Sequence, residues 1–119
     1  MTAEITPQDT EDFTTGACSL LAEAVHDVTG WELACFWDGF RACGHAFVKM
    51  PDGRYLDITG VHTHQEMLDS RWGRPGKRHG QRGITTAHYA RLRVLSRRAE
   101  LTVRARQLVP AVLALAASG

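Results

Sequence analysis

The sequence has no run of about 18 uninterrupted apolar residues, the length that a membrane-crossing helix requires. Its greasiest stretch, Leu108–Ala117, is shorter than that and contains Pro110. The beginning, MTAEITPQDTEDF, is polar and acidic and lacks the basic start and apolar run of an export signal. Cysteine is scarce: there are 3 in 119 residues, an odd number, with no Cys-x-x-Cys pair. That speaks against a disulfide scaffold and a zinc knuckle, and for free thiols in a reducing compartment, so a cytoplasmic location is expected. There is no His-Glu-x-x-His motif. His62-x-His64, even with His26 or Asp69 added, lacks the ligand pattern of a metal site. Neither metal nor cofactor is expected.

What is present is an ordinary globular composition, with 44% hydrophobic residues. A chain of 119 residues suits one compact domain spanning 1–119. At this size folding buries roughly two-thirds of the unfolded surface, enough for one hydrophobic core. The net charge of +1 conceals a division. Residues 1–70 carry 12 acidic and 3 basic side chains, whereas residues 71–119 carry 11 basic and 1 acidic. Either the halves pack together and neutralise each other, or the basic half, residues 71–106, meets an acidic partner. Few aromatics interleave with these basic residues, which argues against nucleic acid.

Along the chain, residues 1–13 are expected to form a loosely docked arm. TTGACSLLAEAVHDVTG predicts a helix capped by Thr14 or Thr15, with an apolar stripe at Leu20, Leu21, Ala24, Val25 and Val28. Gly30 is its stop. WELACFWD has strand character, and Asp38-Gly39 signals a turn. GHAFVKM alternates, with His45, Phe47 and Lys49 on one face and Ala46, Val48 and Met50 on the other. Pro51-Asp52-Gly53 turns the chain and RYLDITG returns it, giving a β-hairpin over 44–59. Thr63 with Glu66 predicts a short capped helix. The Gly-rich basic stretch 71–84 reads as an exposed loop. An extended segment near Arg91–Leu95 and a helix over about 97–117, kinked or restarted at Pro110, complete the chain. Helix, antiparallel strands, helix is an α+β order.

Three residues carry the candidate chemistry. Cys18 falls in the first helical turn, where free N–H groups and the helix dipole favour the reactive thiolate. The small neighbours Gly16 and Ala17 leave the Cys18 N–H accessible as an oxyanion donor. His45 and Asp57 lie on opposite arms of the hairpin, within a residue or two of register. Strands about 4.8 Å apart bring such a pair within hydrogen-bonding reach. Cys18 is thus the candidate nucleophile, His45 the base and Asp57 the residue that orients it. Gly16, Trp37, Gly44 and Trp72 are candidate substrate-binding residues. Cys35 and Cys43 read as structural.

GACSLLAEAVHDVTGW followed by GHAFVKMPDGRYLDITG resembles the core of papain-like and transglutaminase-like thiol enzymes over roughly residues 14–60. In that superfamily a cysteine opens a helix packed on an antiparallel sheet, and a histidine and then an Asp, Asn or His follow on adjacent strands. The resemblance implies the same roles for Cys18, His45 and Asp57, and a hydrolase or acyl transferase acting on an amide or thioester, such as a peptidase, amidase or deamidase with a protein or peptide substrate. It also implies an alternative, a non-catalytic papain-like module of the effector or phage type that grips a protein partner. Where many members carry Gln six residues before the cysteine to complete the oxyanion hole, this chain has Asp12, and Gln8 is the nearest amide.

Overall fold

The computed structural model describes residues 3–37, 42–71, 73, 83–87 and 98–118, with backbone alone at 37, 42–44, 85–87 and 98. The elements are α1 (Pro7–Thr15), α2 (Cys18–Thr29), β1 (Glu32–Trp37), β2 (Ala42–Lys49), β3 (Tyr55–Asp57), β4 (Gly60–His62), α3 (His64–Asp69), β5 (Gly83–Ala87) and α4 (Arg98–Ser118). The strands form one sheet in the order β4-β3-β2-β1-β5, with every neighbouring pair antiparallel. The architecture is α+β, as the element order predicts. No helix among the described residues is long and apolar enough to cross a membrane.

Strand alternation divides the buried side chains between two layers. Leu33, Val48, Met50, Leu56 and Ile58 pack with Phe13, Leu21 and Val25 of α1 and α2 and with Leu101, Ala105, Leu108 and Val112 of α4. On the other face Ala34, Phe36, Phe47 and Tyr55 pack with Met67 of α3. Phe47 meets Phe36 and Tyr55 edge-on, with ring centroids 5.6 and 5.0 Å apart, arrangements that the ring quadrupole favours.

Five expectations need correction. The loosely docked arm is helical from Pro7. Thr6 and Asp9 form a reciprocal capping box, Pro7 stands where its missing N–H is harmless, and Phe13 is buried. Thr14 and Thr15 end α1 rather than cap α2, and their hydroxyls donate back to the Thr10 and Glu11 carbonyls at 2.6 and 2.7 Å. The N-cap of α2 is Ala17, which makes no side-chain capping bond. Val28 is 64% exposed and lies off the buried stripe of α2. Helix α4 is continuous through Pro110 and does not restart there. Pro110 and Arg106 are both exposed, so the Arg106 carbonyl, which loses its helical donor to the proline ring, can bond water instead.

Strand β5 replaces the end of the expected basic loop. Its β-branched run Ile84-Thr85-Thr86 suits a strand, and it pairs along β1 from Leu33↔Ala87 to Trp37↔Gly83. The Asp38-Gly39 turn, most of the basic loop and the segment Arg91–Leu95 lie outside the described residues. Gly30 stops α2 in the left-handed conformation at φ 73°, its N–H bonded to the His26 carbonyl at 2.7 Å. The Thr63–Glu66 capping box of α3 is present as expected.

Candidate active site

The site begins at the hairpin. The Met50 N–H donates to the Arg54 carbonyl at 2.7 Å, closing the Pro51-Asp52-Gly53 turn, and Gly53 adopts φ 89° there. The register that follows is Lys49↔Tyr55 and Val48↔Leu56. One further step sets Asp57 beside Phe47, a diagonal step from His45 on the same face. His45 Nε2–H donates to Asp57 Oδ2 at 2.7 Å. The two side chains are 0% and 3% exposed, so water does not compete for this bond.

On its other edge β2 is irregular. Cys35 pairs with Ala46 but Phe36 pairs with Cys43, so Gly44 and His45 have no counterpart on β1. Bulges of this kind bend a strand and redirect its side chains. His45 therefore stands on a distorted stretch of β2 between two regular ones, with Asp57 fixing its ring.

The thiol enters where β3 stops. N–H groups of alternate residues on β2 point to the same neighbour. Met50 faces β3 in this way, and so does Ala46. β3 ends at Asp57, before it could supply an acceptor for Ala46. The Ala46 N–H donates instead to Cys18 Sγ, at 3.4 Å. The thiol of the first residue of α2 thus takes the place of a missing ladder carbonyl. Cys18 is a partly exposed residue, whereas Cys35 is buried. Beneath it lies an apolar floor that includes Phe13, Leu21, Val25, Leu56 and Val112.

The electrostatics follow from this placement. Burial alone would raise the Cys18 pKa. Interaction with the His45 ring and the N–H groups of Ala46 and Ser19 outweighs burial and brings it below the ordinary 9.0. Burial would lower the His45 pKa, but hydrogen bonding to Asp57 and interaction with Cys18 raise it above 6.5. Asp57 is held well below the usual carboxylate range. Burial opposes this, and His45, His62 and Thr59 overcome it. All three shifts favour a thiolate beside an imidazolium. Because Nε2 is committed to Asp57, Nδ1 is the ring nitrogen left to exchange a proton with the sulfur.

Two residues hold Asp57 in a way the sequence does not announce: Thr59, and His62, which is expected at the start of a helix on the site rim and instead ends β4. Asp57 Oδ1 accepts from the Thr59 N–H at 2.8 Å, the Thr59 hydroxyl at 2.5 Å and His62 Nε2 at 3.2 Å. The Thr59 hydroxyl gives its only proton to Asp57, so at 2.8 Å it accepts from His62 Nε2–H. The Asp57-Ile58-Thr59-Gly60 turn, with Gly60 at φ 122°, carries the Asp-to-backbone signal that could have revealed Thr59.

The remaining candidates are scattered. Gly16 is the exposed C-cap of α1, and its N–H is bonded to the Asp12 carbonyl at 3.3 Å. Gly44 lies in the irregular stretch of β2 next to His45. Trp37 ends β1, and its side chain, like all of Trp72, lies outside the described residues. Gln8 Nε2 donates to Asp12 Oδ1 within α1. His62 and His64 diverge: His62 turns to Asp57, and His64 Nδ1 lies 2.9 Å from the Tyr55 hydroxyl. Among the described residues no group of three or more His, Cys, Asp or Glu side chains could hold a metal ion. No family model, curated protein or solved structure matches this chain.

Proposed function

We propose that this protein is a thiol-dependent hydrolase or acyl transferase acting on an amide or thioester carbonyl, with the papain-like or transglutaminase-like arrangement that its sequence resembles. The observation that carries the proposal is the position of Cys18: a partly exposed residue whose sulfur is hydrogen-bonded by the Ala46 N–H, beside a histidine whose far nitrogen is bound to a buried carboxylate at 2.7 Å. A thiol that merely filled space would need none of these partners. A module that merely gripped a partner would not need a thiol ionised more readily than normal.

The chemistry proceeds in two halves. Cys18 passes its proton to His45 Nδ1, and the thiolate attacks the carbonyl carbon, forming the C–S bond as the carbonyl electron pair moves to oxygen. The Cys18 N–H, in the turn of α2 where helix geometry provides no intrahelical acceptor, is the donor for that oxyanion. When the electrons return, the amine or thiol leaves with the proton from His45, and the acyl group stays on sulfur. Water or an amine then gives a proton to His45 Nδ1, attacks the acyl carbon and releases the thiolate. Asp57 keeps the ring in the tautomer that both halves require.

The test is site-resolved alkylation by iodoacetamide near pH 6, followed by assay against peptide amides and acyl thioesters. Cys18 is expected to react ahead of Cys35 and Cys43, and Cys18→Ala and His45→Ala to abolish turnover in both assays. Equal labelling of the three cysteines, or turnover that survives Cys18→Ala, would overturn the proposal.

A further inference from the structure

Asp57 has two oxygens, and only Oδ2 serves His45. Oδ1 is held by three donors, two from Thr59 and one from His62, the last residue of β4. Strand β4 brings His62 there by pairing with β3 in the register Tyr55↔His62, Leu56↔Val61 and Asp57↔Gly60. His62 is the only one of the two histidines on Asp57 with solvent access, its side chain being 28% exposed against 0% for His45.

We propose that His62 is a positioning residue of this site, steadying Asp57 Oδ1 directly and through Thr59 so that Oδ2 stays directed at His45. The inference rests on the proposed thiol chemistry. It adds a second histidine on the far side of the acid, giving the order Cys18, His45, Asp57, His62 across the site. A carboxylate with one oxygen pinned cannot rotate away from its ring partner, the same logic by which outer partners orient metal-bound histidines.

The arrangement also gives the site a pH sense. The groups that bear on His62 are Asp57 on β3, with Thr59 in the turn between β3 and β4; Glu66 in the first turn of α3; and His45 on β2. Asp57 and then Glu66 favour its charged form, while burial and His45 oppose it, and the net effect raises its pKa above 6.5. Charged His62 draws on the negative charge of Asp57 and repels an imidazolium at His45. As pH rises and His62 loses its proton, that charge acts on His45 alone, the imidazolium is better supported, and the Cys18 thiolate with it. Thiol reactivity therefore gains one step that belongs to His62, separate from the titration of the Cys18–His45 pair.

The experiment compares the pH profile of Cys18 alkylation by iodoacetamide in the unsubstituted protein, His62→Gln and His62→Phe, together with NMR titration of the His62 ring in the unsubstituted protein. Glutamine keeps a donor to Asp57 but does not titrate, whereas phenylalanine supplies neither. His62→Phe is expected to lower the rate by about tenfold on the basic side of the His62 step, where the unsubstituted His62 is neutral and its loss removes only the hold on Asp57, the equivalent of one pKa unit at the thiol. His62→Gln is expected to keep most of the unsubstituted rate on that basic side, to react faster than the unsubstituted protein on the acid side, and to lose the separate step in the profile. The His62 ring should titrate above its ordinary value of about 6.5. Profiles that superimpose for all three proteins, or a ring that titrates at or below its ordinary value, would overturn the inference while leaving the thiol chemistry standing. A Cys18 that reacts as an ordinary thiol in the unsubstituted protein would remove both. If His62→Phe does not fold, the glutamine profile and the ring titration still decide.

Discussion

Asp57→Asn keeps the shape of this side chain and removes its charge, which separates orientation from electrostatics. Without the carboxylate, His45 loses the partner that raises its pKa, and the Cys18 thiol moves back toward 9.0. Alkylation of Cys18 at neutral pH should fall by about tenfold or more, and the inflection of its pH profile should move to higher pH. Site-resolved mass mapping across a pH series checks both. An unchanged profile would mean that the acid does not act on the pair. The three side chains that meet at the site were legible because their residue types are chemically specific and because the hairpin turn sets His45 and Asp57 within a residue or two of register. Thr59 and His62 were not legible. Their place depends on a second antiparallel return after Asp57, and a strand of three residues leaves too short a pattern to read.

At the scale of elements, α4 supplies much of the layer behind the site, and Leu108 is fully buried in it. Leu108→Ala should destabilise the fold by about 3 kcal/mol through lost burial and the cavity it leaves. Val28→Ala, on the exposed side of α2, should change stability by about 0.5 kcal/mol or less. Urea unfolding of both variants checks the contrast. The hairpin, α2, α3 and α4 could be read from the sequence, since each carries a periodicity or a cap of its own. The missing cap of α2 could not, because Thr14 and Thr15 fit two roles by sequence and only packing assigns them to the end of α1. Strand β5 was hidden for a related reason. It pairs with β1 at the sheet edge, and its five residues lie in a Gly-rich basic context that reads as a loop. Pro110 shows the limit of a local rule, because on an exposed helix face water can satisfy the carbonyl that the ring leaves behind.

At the scale of the whole molecule, an ion pair ties the acidic half of the chain to the basic half. Arg104 in α4 holds both oxygens of Asp9 in α1, at 2.9 and 2.7 Å, and also donates to the Glu4 carbonyl at 3.0 Å. Asp9 and Arg104 are 95 residues apart. The guanidinium is the largest cause of the fall in the Asp9 pKa to about 2. A carboxyl whose pKa is lower folded than unfolded contributes stability that is complete above 3.8 and disappears as pH falls through about 2. Asp9→Asn should therefore be less stable than the unsubstituted protein at neutral pH, and the difference should close between about pH 4 and pH 2. Thermal unfolding at several pH values checks this, and a gap independent of pH would show that Asp9 contributes through its shape alone. The Ala46 amide and the sulfur it reaches are likewise far apart in the chain, by 28 residues. Acidity of the thiol is consequently a property of the folded chain and vanishes when helix and ribbon separate. A small electrophile offered in mild acid would mark native molecules and pass over denatured ones, so this cysteine doubles as a built-in gauge of how much of a sample is folded.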